Sequence, residues 1–356
     1  MTVLFSTHAA YLDHLAGPRH PECPERLEAV LLGARRADLV EALVPLAPLA
    51  ATRADLERVH PVAYLDRIEE ICARGGGRLD PDTYASPRSW EAGTLAAGAG
   101  LTAIEALRRG EGTAAFCAVR PPGHHATRTE SMGFCFISNV AVVAASLAAQ
   151  GERVLILDYD AHHGNGTQDV FFHDPNVLFV SLHQWPLYPG SGRATEFGSG
   201  LGAGFTMNIP LPPETTGDVY TRAFDELIAP RVEVFAPTWM IISAGFDGHR
   251  DDPITELGLT AGDYVAMTRR AMQWVPPGRR IVMLEGGYDL DALTACSAGV
   301  LGVLAGIDAP DHGADTRERA TSGGPGTREL DRVLDLWHRE AWRSEDRPDE
   351  ASRHRS

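Results

Sequence analysis

An α/β fold with a mostly parallel central sheet is predicted by three observations. Short β-rich apolar runs alternate with longer Ala- and Leu-rich stretches, the pattern that βα units produce. No internal repeat is visible. Several of the apolar runs end in clusters of His, Asp or Tyr at their C-terminal sides, the edge at which open α/β sheets bind ligands. At 356 residues the chain can form one large α/β domain, with two domains as the open alternative.

The elements follow in order. TVLFS near the start reads as a strand, and PERLEAVLLGARRA (24–37) and SWEAGTLAAGAGLTAIEALRRG (89–110) read as helices. TAAFCAV (113–119) is the next strand, followed by a helix over 138–151 with Ser138 as N-cap. RVLILDYD (153–160), NVLFVSLH (176–183) and TWMIISAGFD (238–247) are strands; 260–274 is a helix capped by Thr260, and RRIVMLEGGYD (279–289) is the last strand. From about residue 308 the chain turns polar. Within that region Leu330, Val333, Leu334, Trp337 and Trp342 stand close to helical spacing, which predicts a final helix packed on the body. The expected organisation is a single domain over 1–345 and a disordered tail over 346–356.

Composition narrows the chemistry. The chain is 44% hydrophobic, enough for a sizeable core, and no apolar run approaches the roughly 18 to 20 residues that cross a bilayer. MTVLFSTHAAYLDH lacks the basic start and cleavage site of a signal peptide, so a cytoplasmic location is expected and no membrane partner. The five cysteines are scattered and never spaced as CxxC, which argues against a disulfide framework or a cysteine metal site. A net charge of −16 repels phosphate backbones, argues against nucleic acid as a direct substrate and favours cationic ligands. No lysine occurs, which removes Schiff-base chemistry and a Walker-type phosphate loop.

The remaining signal lies at the strand exits. RPPGHHA places His124 and His125 after one strand, in a loop stiffened by Pro121, Pro122 and Gly123. DYDAHHGNGTQD places Asp158, Asp160, His162, His163 and Asp169 after another; SAGFD adds Asp247 and EGGYD adds Tyr288. Residues two apart at a strand end share a face, so Asp158, Asp160 and His162 can point into one crevice. Asp160 and His162 form a candidate ligand pair. Catalytic zinc takes three protein ligands and keeps a fourth position open, and Asp247 is the natural third.

The ordered set HPECPERL, RPPGHHA, GFCFISNVAVVA, ILDYDAHHGNGTQDVF, SLHQWPLYPGSG, SAGFD and EGGYD resembles the histone deacetylase superfamily, from about residue 20 to beyond 300. It is most similar to the class II and bacterial histone deacetylase-like amidohydrolase branch, which includes acetylpolyamine amidohydrolases. The resemblance implies an arginase-like three-layer α/β/α fold and a zinc-dependent deacetylase with one catalytic Zn2+ at the base of a narrow tunnel. It implies Asp160, His162 and Asp247 as metal ligands, His125 as general base, His124 as the second imidazole, and Tyr288 as donor to the developing oxyanion. Asp158 is implied behind His124 and Asn165 behind His125, where a neutral amide leaves more unprotonated base near pH 7 than a carboxylate would. Structural K+ is implied at Asp158, Asp160, His162, Ser181 and Leu182, with a second site near Phe171, Asp174 and Val177.

Phe134 and Tyr188 match the tunnel's aromatic walls, Gly133 a lining residue, and Asp82 a rim position, although as a loop Asp it is otherwise a turn-former. Ile254 occupies the gatekeeper position and Glu256 lies two residues later, which favours an acylated lysine or related acyl amine. Asp251, Asp252 and Glu256 would welcome a cation at the mouth, so an acylated polyamine is the alternative substrate. An arginase-type ureohydrolase with two manganese ions and a non-catalytic binding protein are the competing readings. The histidine pair and Tyr288 speak against both. Iron in place of zinc, acyl length and a homo-oligomeric state stay open.

Overall fold

The computed structural model describes residues 1–307 and 318–345; the tail expected over 346–356 and the side chain of Trp342 lie outside the described residues. The strands are β1 (Val3–Ser6), β2 (Leu43–Leu46), β3 (Gly77–Arg78), β4 (Tyr84–Ala85), β5 (Ala114–Cys117), β6 (Val154–Asp158), β7 (Val177–Gln184), β8 (Thr206–Leu211), β9 (Trp239–Ala244) and β10 (Arg280–Leu284). Eight of them form one sheet in the order β2-β1-β5-β10-β9-β6-β7-β8, and every adjacent pair in it is parallel. β3 and β4 form a separate antiparallel hairpin.

Sequence and burial agree on why the sheet lies in the middle. β5, β6, β7 and β9 are buried at every position, as expected for parallel strands covered on both faces, and so they read as mostly apolar runs whose few polar residues, such as Asp158, Ser181 and Ser243, lie toward their C-terminal ends. The two edge strands were not anticipated. Each contains a proline, Pro45 in β2 and Pro210 in β8, a residue that removes a ladder donor and is tolerated at sheet edges. β2 is a run of only four residues, LVPL, and β8, TMNIPL, mixes polar residues with apolar ones, so neither stands out as a strand.

The helices are α1 (Glu25–Arg36), α2 (Arg53–Leu56), α3 (Val62–Ala73), α4 (Ser89–Arg108), α5 (Asn139–Ala148), α6 (Asn165–Phe171), α7 (Gly217–Ala223), α8 (Ala229–Phe235), α9 (Ala261–Ala271), α10 (Leu290–Ala305) and α11 (Thr327–Glu345). α1 packs on α10 and α10 on α9, whereas α4 packs on α5, so two groups of helices flank the sheet. The fit of α1 on α10 needs Gly33, where a Cβ would stand 2.4 Å from the Thr294 carbonyl oxygen. α11 lies along β8 through buried Leu330, Val333, Leu334 and Trp337, as the helical spacing predicted.

The caps divide. Asp263 Oδ2 accepts from the Thr260 backbone N at 2.9 Å and from its hydroxyl at 3.1 Å, closing a capping box at the start of α9. Ser138 precedes α5 but makes no capping bond, and its buried hydroxyl has no partner among the described residues. Its backbone N donates to His60 Nε2 at 3.0 Å, and its φ −77° and ψ 85° lie outside the extended geometry usual for an N-cap.

Topology concentrates the chemistry. β5, β10, β9 and β6 are consecutive neighbours at the centre of the sheet, and their C-terminal exits carry the four clusters read from the sequence.

Candidate active site

The exit of β6 turns sharply, and its side chains cap their own backbone. Asp158 Oδ1 accepts from Asp160 N at 3.1 Å, and Asp160 Oδ1 accepts from His162 N at 2.9 Å. Asp158, Asp160 and His162 therefore face one side of the turn. Asp247, arriving from β9, accepts from Ala161 N at 2.8 Å through Oδ1 and lies 2.7 Å from His162 Nδ1 through Oδ2.

Asp160, His162 and Asp247 are all buried, with potential ligand atoms within 4.8 Å of one another. Gly245 and Gly286 line the carboxylates so closely that a Cβ would stand 1.9 and 2.6 Å from Asp160 Oδ2, and at Gly286 also 2.7 Å from Asp247 Oδ2. Two carboxylates and one imidazole suit a borderline divalent ion such as Zn2+.

Electrostatics point the same way. Burial would depress the His162 pKa, but Asp247 and Asp160 push it up to about 10. Burial and the Asp160 charge raise Asp247 to about 7, partly offset by His162.

The two histidines of the β5 exit have different partners. His124 Nδ1 lies 3.1 Å from Asp158 Oδ2, and its Nε2 lies 3.7 Å from Asp160 Oδ2. Burial alone would lower its pKa, but Asp160 and Asp158 outweigh that and raise it well above the usual value. His125 Nδ1 is 2.7 Å from Asn165 Oδ1, whose amide nitrogen approaches the His125 carbonyl at 3.4 Å and Met132 Sδ at 3.3 Å. That amide orientation places the proton on His125 Nδ1 and leaves Nε2 able to accept one. Burial, with positive charge on His124 and His162, holds His125 well below the ordinary imidazole value. The rings of His124 and His125 are 4.0 Å apart, and that of His125 is 5.9 Å from His162.

Tyr288 follows the Gly286–Gly287 turn, where Gly287 has φ +113°. Burial raises its pKa well above the ordinary phenol value, so at neutral pH it is a hydrogen-bond donor. Phe134 meets the Tyr288 ring edge-on at 5.7 Å, and Tyr188 meets the His125 ring edge-on at 5.2 Å. The expected aromatic pair thus borders the cluster. Tyr188 is the outer member, 37% exposed. Gly133 has φ +54°, and a Cβ there would stand 2.4 Å from His125 Cδ2, so only glycine fits beside that ring.

At the rim, Asp82 Oδ1 accepts from Gly133 N at 3.1 Å and from the Thr83 hydroxyl at 2.9 Å, so the carboxylate anchors this wall of the site. Ile254 is half-buried and Glu256 exposed. Asp252 corrects the sequence reading. Rather than joining Asp251 and Glu256 at the mouth, it is 6% exposed and accepts from the backbone N of Tyr288 at 2.7 Å and of Ile254 at 3.1 Å. Two donors at those distances secure the carboxylate inside a tight loop.

Of the residues expected around potassium, Ser181 lies beside Asp158 across the β6–β7 ladder with Leu182 next to it. In the second group, Phe171 O accepts from Asp174 N at 3.0 Å, and Val177 begins β7. His163 turns away from the cluster, to Ser191 at 2.8 Å and Gln168 at 3.0 Å.

Several residues that shape the site were not anticipated. Glu285 Oε2 accepts from Gly123 N at 2.6 Å and His124 N at 3.1 Å, and its Oε1 from Ser243 at 3.0 Å. Burial lifts its pKa to about 7, although His124 opposes the rise. Arg26 donates to the carbonyls of Gly287, at 2.7 Å, and Glu285, and its cation lies 5.0 Å from the Tyr288 ring centre. Glu22 joins Arg26 to Arg120, with all three fully buried. Glu285 alone had a local signal: a carboxylate continuing the buried run IVML.

Comparison with known proteins agrees with this architecture. The family model described as the histone deacetylase domain matches residues 20–304. The chain is 43% identical over 308 residues to a "Probable deacetylase" from Archaeoglobus fulgidus, covering 85% of this chain and 86% of the relative. It is 39% identical over 263 residues to a "Histone deacetylase-like amidohydrolase" from Pseudomonas aeruginosa, covering 72% of this chain and 69% of that one. The crystal structure of the HDA15 HD domain superposes with a TM-score of 0.87 at 33% identity, over 96% of both chains.

Proposed function

The chain belongs to the histone deacetylase family and is a hydrolase of amide bonds; from that premise we propose that it is a zinc-dependent deacetylase acting on an acylated lysine or related acyl amine. The carrying observation is the placement of His125, with its Asn165-bound Nδ1, beside the buried trio Asp160, His162 and Asp247. When bound there, Zn2+ supplies a Lewis acid toward the acyl carbonyl and lowers the pKa of water.

The chain's own groups do the rest. His125 Nε2 accepts the proton of the attacking water, because Asn165 holds the other proton on Nδ1. His124, paired with Asp158, contributes a stabilised imidazolium charge. The Tyr288 phenol donates to the oxygen that becomes negative as the amide carbon turns tetrahedral. Phe134 and Tyr188 offer apolar faces to a slender methylene chain, and Gly133 and Asp82 fix the wall between them. The proton held by His125 then goes to the departing amine.

Residues 1–345 are read as one catalytic domain, in keeping with the continuous eight-stranded sheet. K+ at the two groups named above is part of the same reading, as is a cytoplasmic location, which suits five free cysteines. An acylated polyamine is the second substrate reading: Asp82 and Asp80 both act on Tyr188 electrostatically, so negative charge stands at the outer aromatic.

The test is a matched panel of acetyl-lysine peptides and N-acetylated putrescine, cadaverine and spermidine, with Tyr288→Phe as control. Peptide preference supports the lysine reading, whereas polyamine preference replaces it with the second. No turnover of any member rejects acetyl as the group removed and points to another acyl group or to a binding function.

A further inference from the structure

The loop after Asp247 folds over the EGGYD turn, and one carboxylate joins the two. Asp252 Oδ1 accepts from Ile254 N at 3.1 Å, while its Oδ2 accepts from Tyr288 N at 2.7 Å and Asp289 N at 3.4 Å. Its own backbone N donates to His249 O at 2.9 Å. The surrounding loop is fastened as well: the Thr255 hydroxyl donates to the Asp247 carbonyl, and Glu256 N donates to Gln184 Oε1 at 2.8 Å. On the other flank of the turn, Arg26 Nε holds the Gly287 carbonyl at 2.7 Å. The peptide that aims Tyr288 is thus clamped between a cation and an anion from distant parts of the chain.

We propose that Asp252 is a positioning residue that couples the backbone of half-buried Ile254, in the loop after Asp247, to the backbone of Tyr288, and so holds the phenol in the place on which the rate depends. The proposal rests on the deacetylase reading. Because both N–H groups share one rigid carboxylate, displacement of Ile254 moves the acceptor of Tyr288 N. A loosened loop then costs kcat through a misplaced phenol.

Asp252→Asn tests this with little change in shape. An amide has one oxygen and one NH2, so in either orientation the N–H of Ile254 or of Tyr288 faces a donor. The expected result is a fall in kcat of about tenfold, short of the ~10²–10³ for losing an oxyanion donor outright, with KM within about twofold. In a Tyr288→Phe background the same substitution should lower kcat no further.

Amide hydrogen exchange gives a second readout independent of turnover. Asp252→Asn should speed exchange at residues 254 and 288 together, whereas exposed Asp291→Asn should change neither. Wild-type kcat in Asp252→Asn, a full additional loss in the double variant, or faster exchange at only one amide overturns the coupling. If the wild-type protein turns over no acylated amine, the deacetylase reading fails and the exchange experiment alone decides the coupling.

Discussion

Replacing Asn165 by aspartate puts a negative charge where a neutral oxygen now lies 2.7 Å from His125 Nδ1. At an effective dielectric of about 20, unit charges 4 Å apart interact by about 4 kcal/mol, an upper bound because the new carboxylate also resists burial. Shifts beside an opposite charge run about 1–3 units. The sign is fixed: a carboxylate stabilises the imidazolium, so the His125 pKa, now held low by burial and by His124 and His162, must rise. A protonated His125 cannot act as base. The acid limb of the kcat/KM profile should therefore move up by about 1–2 units, costing about 10- to 100-fold on that limb and recovering at alkaline pH. The assay is a pH–rate profile of zinc-loaded Asn165→Asp beside wild type, with circular dichroism to verify the fold. An unmoved limb, or one moved to lower pH, would refute His125 as the base.

Tyr288→Phe should reduce kcat by roughly 10²–10³ with KM little changed, because the phenol's donation matters most as charge develops; steady-state kinetics checks this. Zinc binding at pH 7 should release about one to two protons, since His162 at about 10 is protonated and Asp247 at about 7 partly so, as read by calorimetry in buffers of different ionisation enthalpy. The His162 pKa is raised on folding of the metal-free protein, so its stabilisation is complete below about pH 6.5 and lost as pH rises through about 10. The metal-free melting temperature should fall across that window. Glu22→Ala should destabilise by about 3–5 kcal/mol in denaturant titration, because it leaves buried Arg26 and Arg120 without their shared carboxylate.

The residues that face the reaction were legible because each belongs to a dense polar cluster directly after a continuous apolar run. Asp160, His162, Asp247, His124, His125 and Tyr288 all had that signature, and the sheet brings their four strands side by side. The anchors behind them had none. Glu22 and Arg26 are only four residues apart, but the Arg120 side chain that completes the group and the Gly287 carbonyl that Arg26 holds come from distant parts of the chain, which local periodicity cannot show. Asp252 was misplaced for a related reason: in DGHRDDP its charge looks like that of its exposed neighbour Asp251, and only the Tyr288 and Ile254 amides distinguish it. The edge strands escaped notice because a proline interrupts each where one side of the ladder is unpaired, with β2 only four residues long and β8 broken further by Thr206 and Asn208.

The central claim is most directly tested by measuring acetate release from an acetyl-lysine peptide while metal-free protein is titrated with zinc. Activity should rise from near zero to a plateau at one zinc per chain, and be absent in an Asp247→Ala variant. Turnover that survives complete removal of metal, or that needs a second equivalent as in a two-metal ureohydrolase, would contradict it.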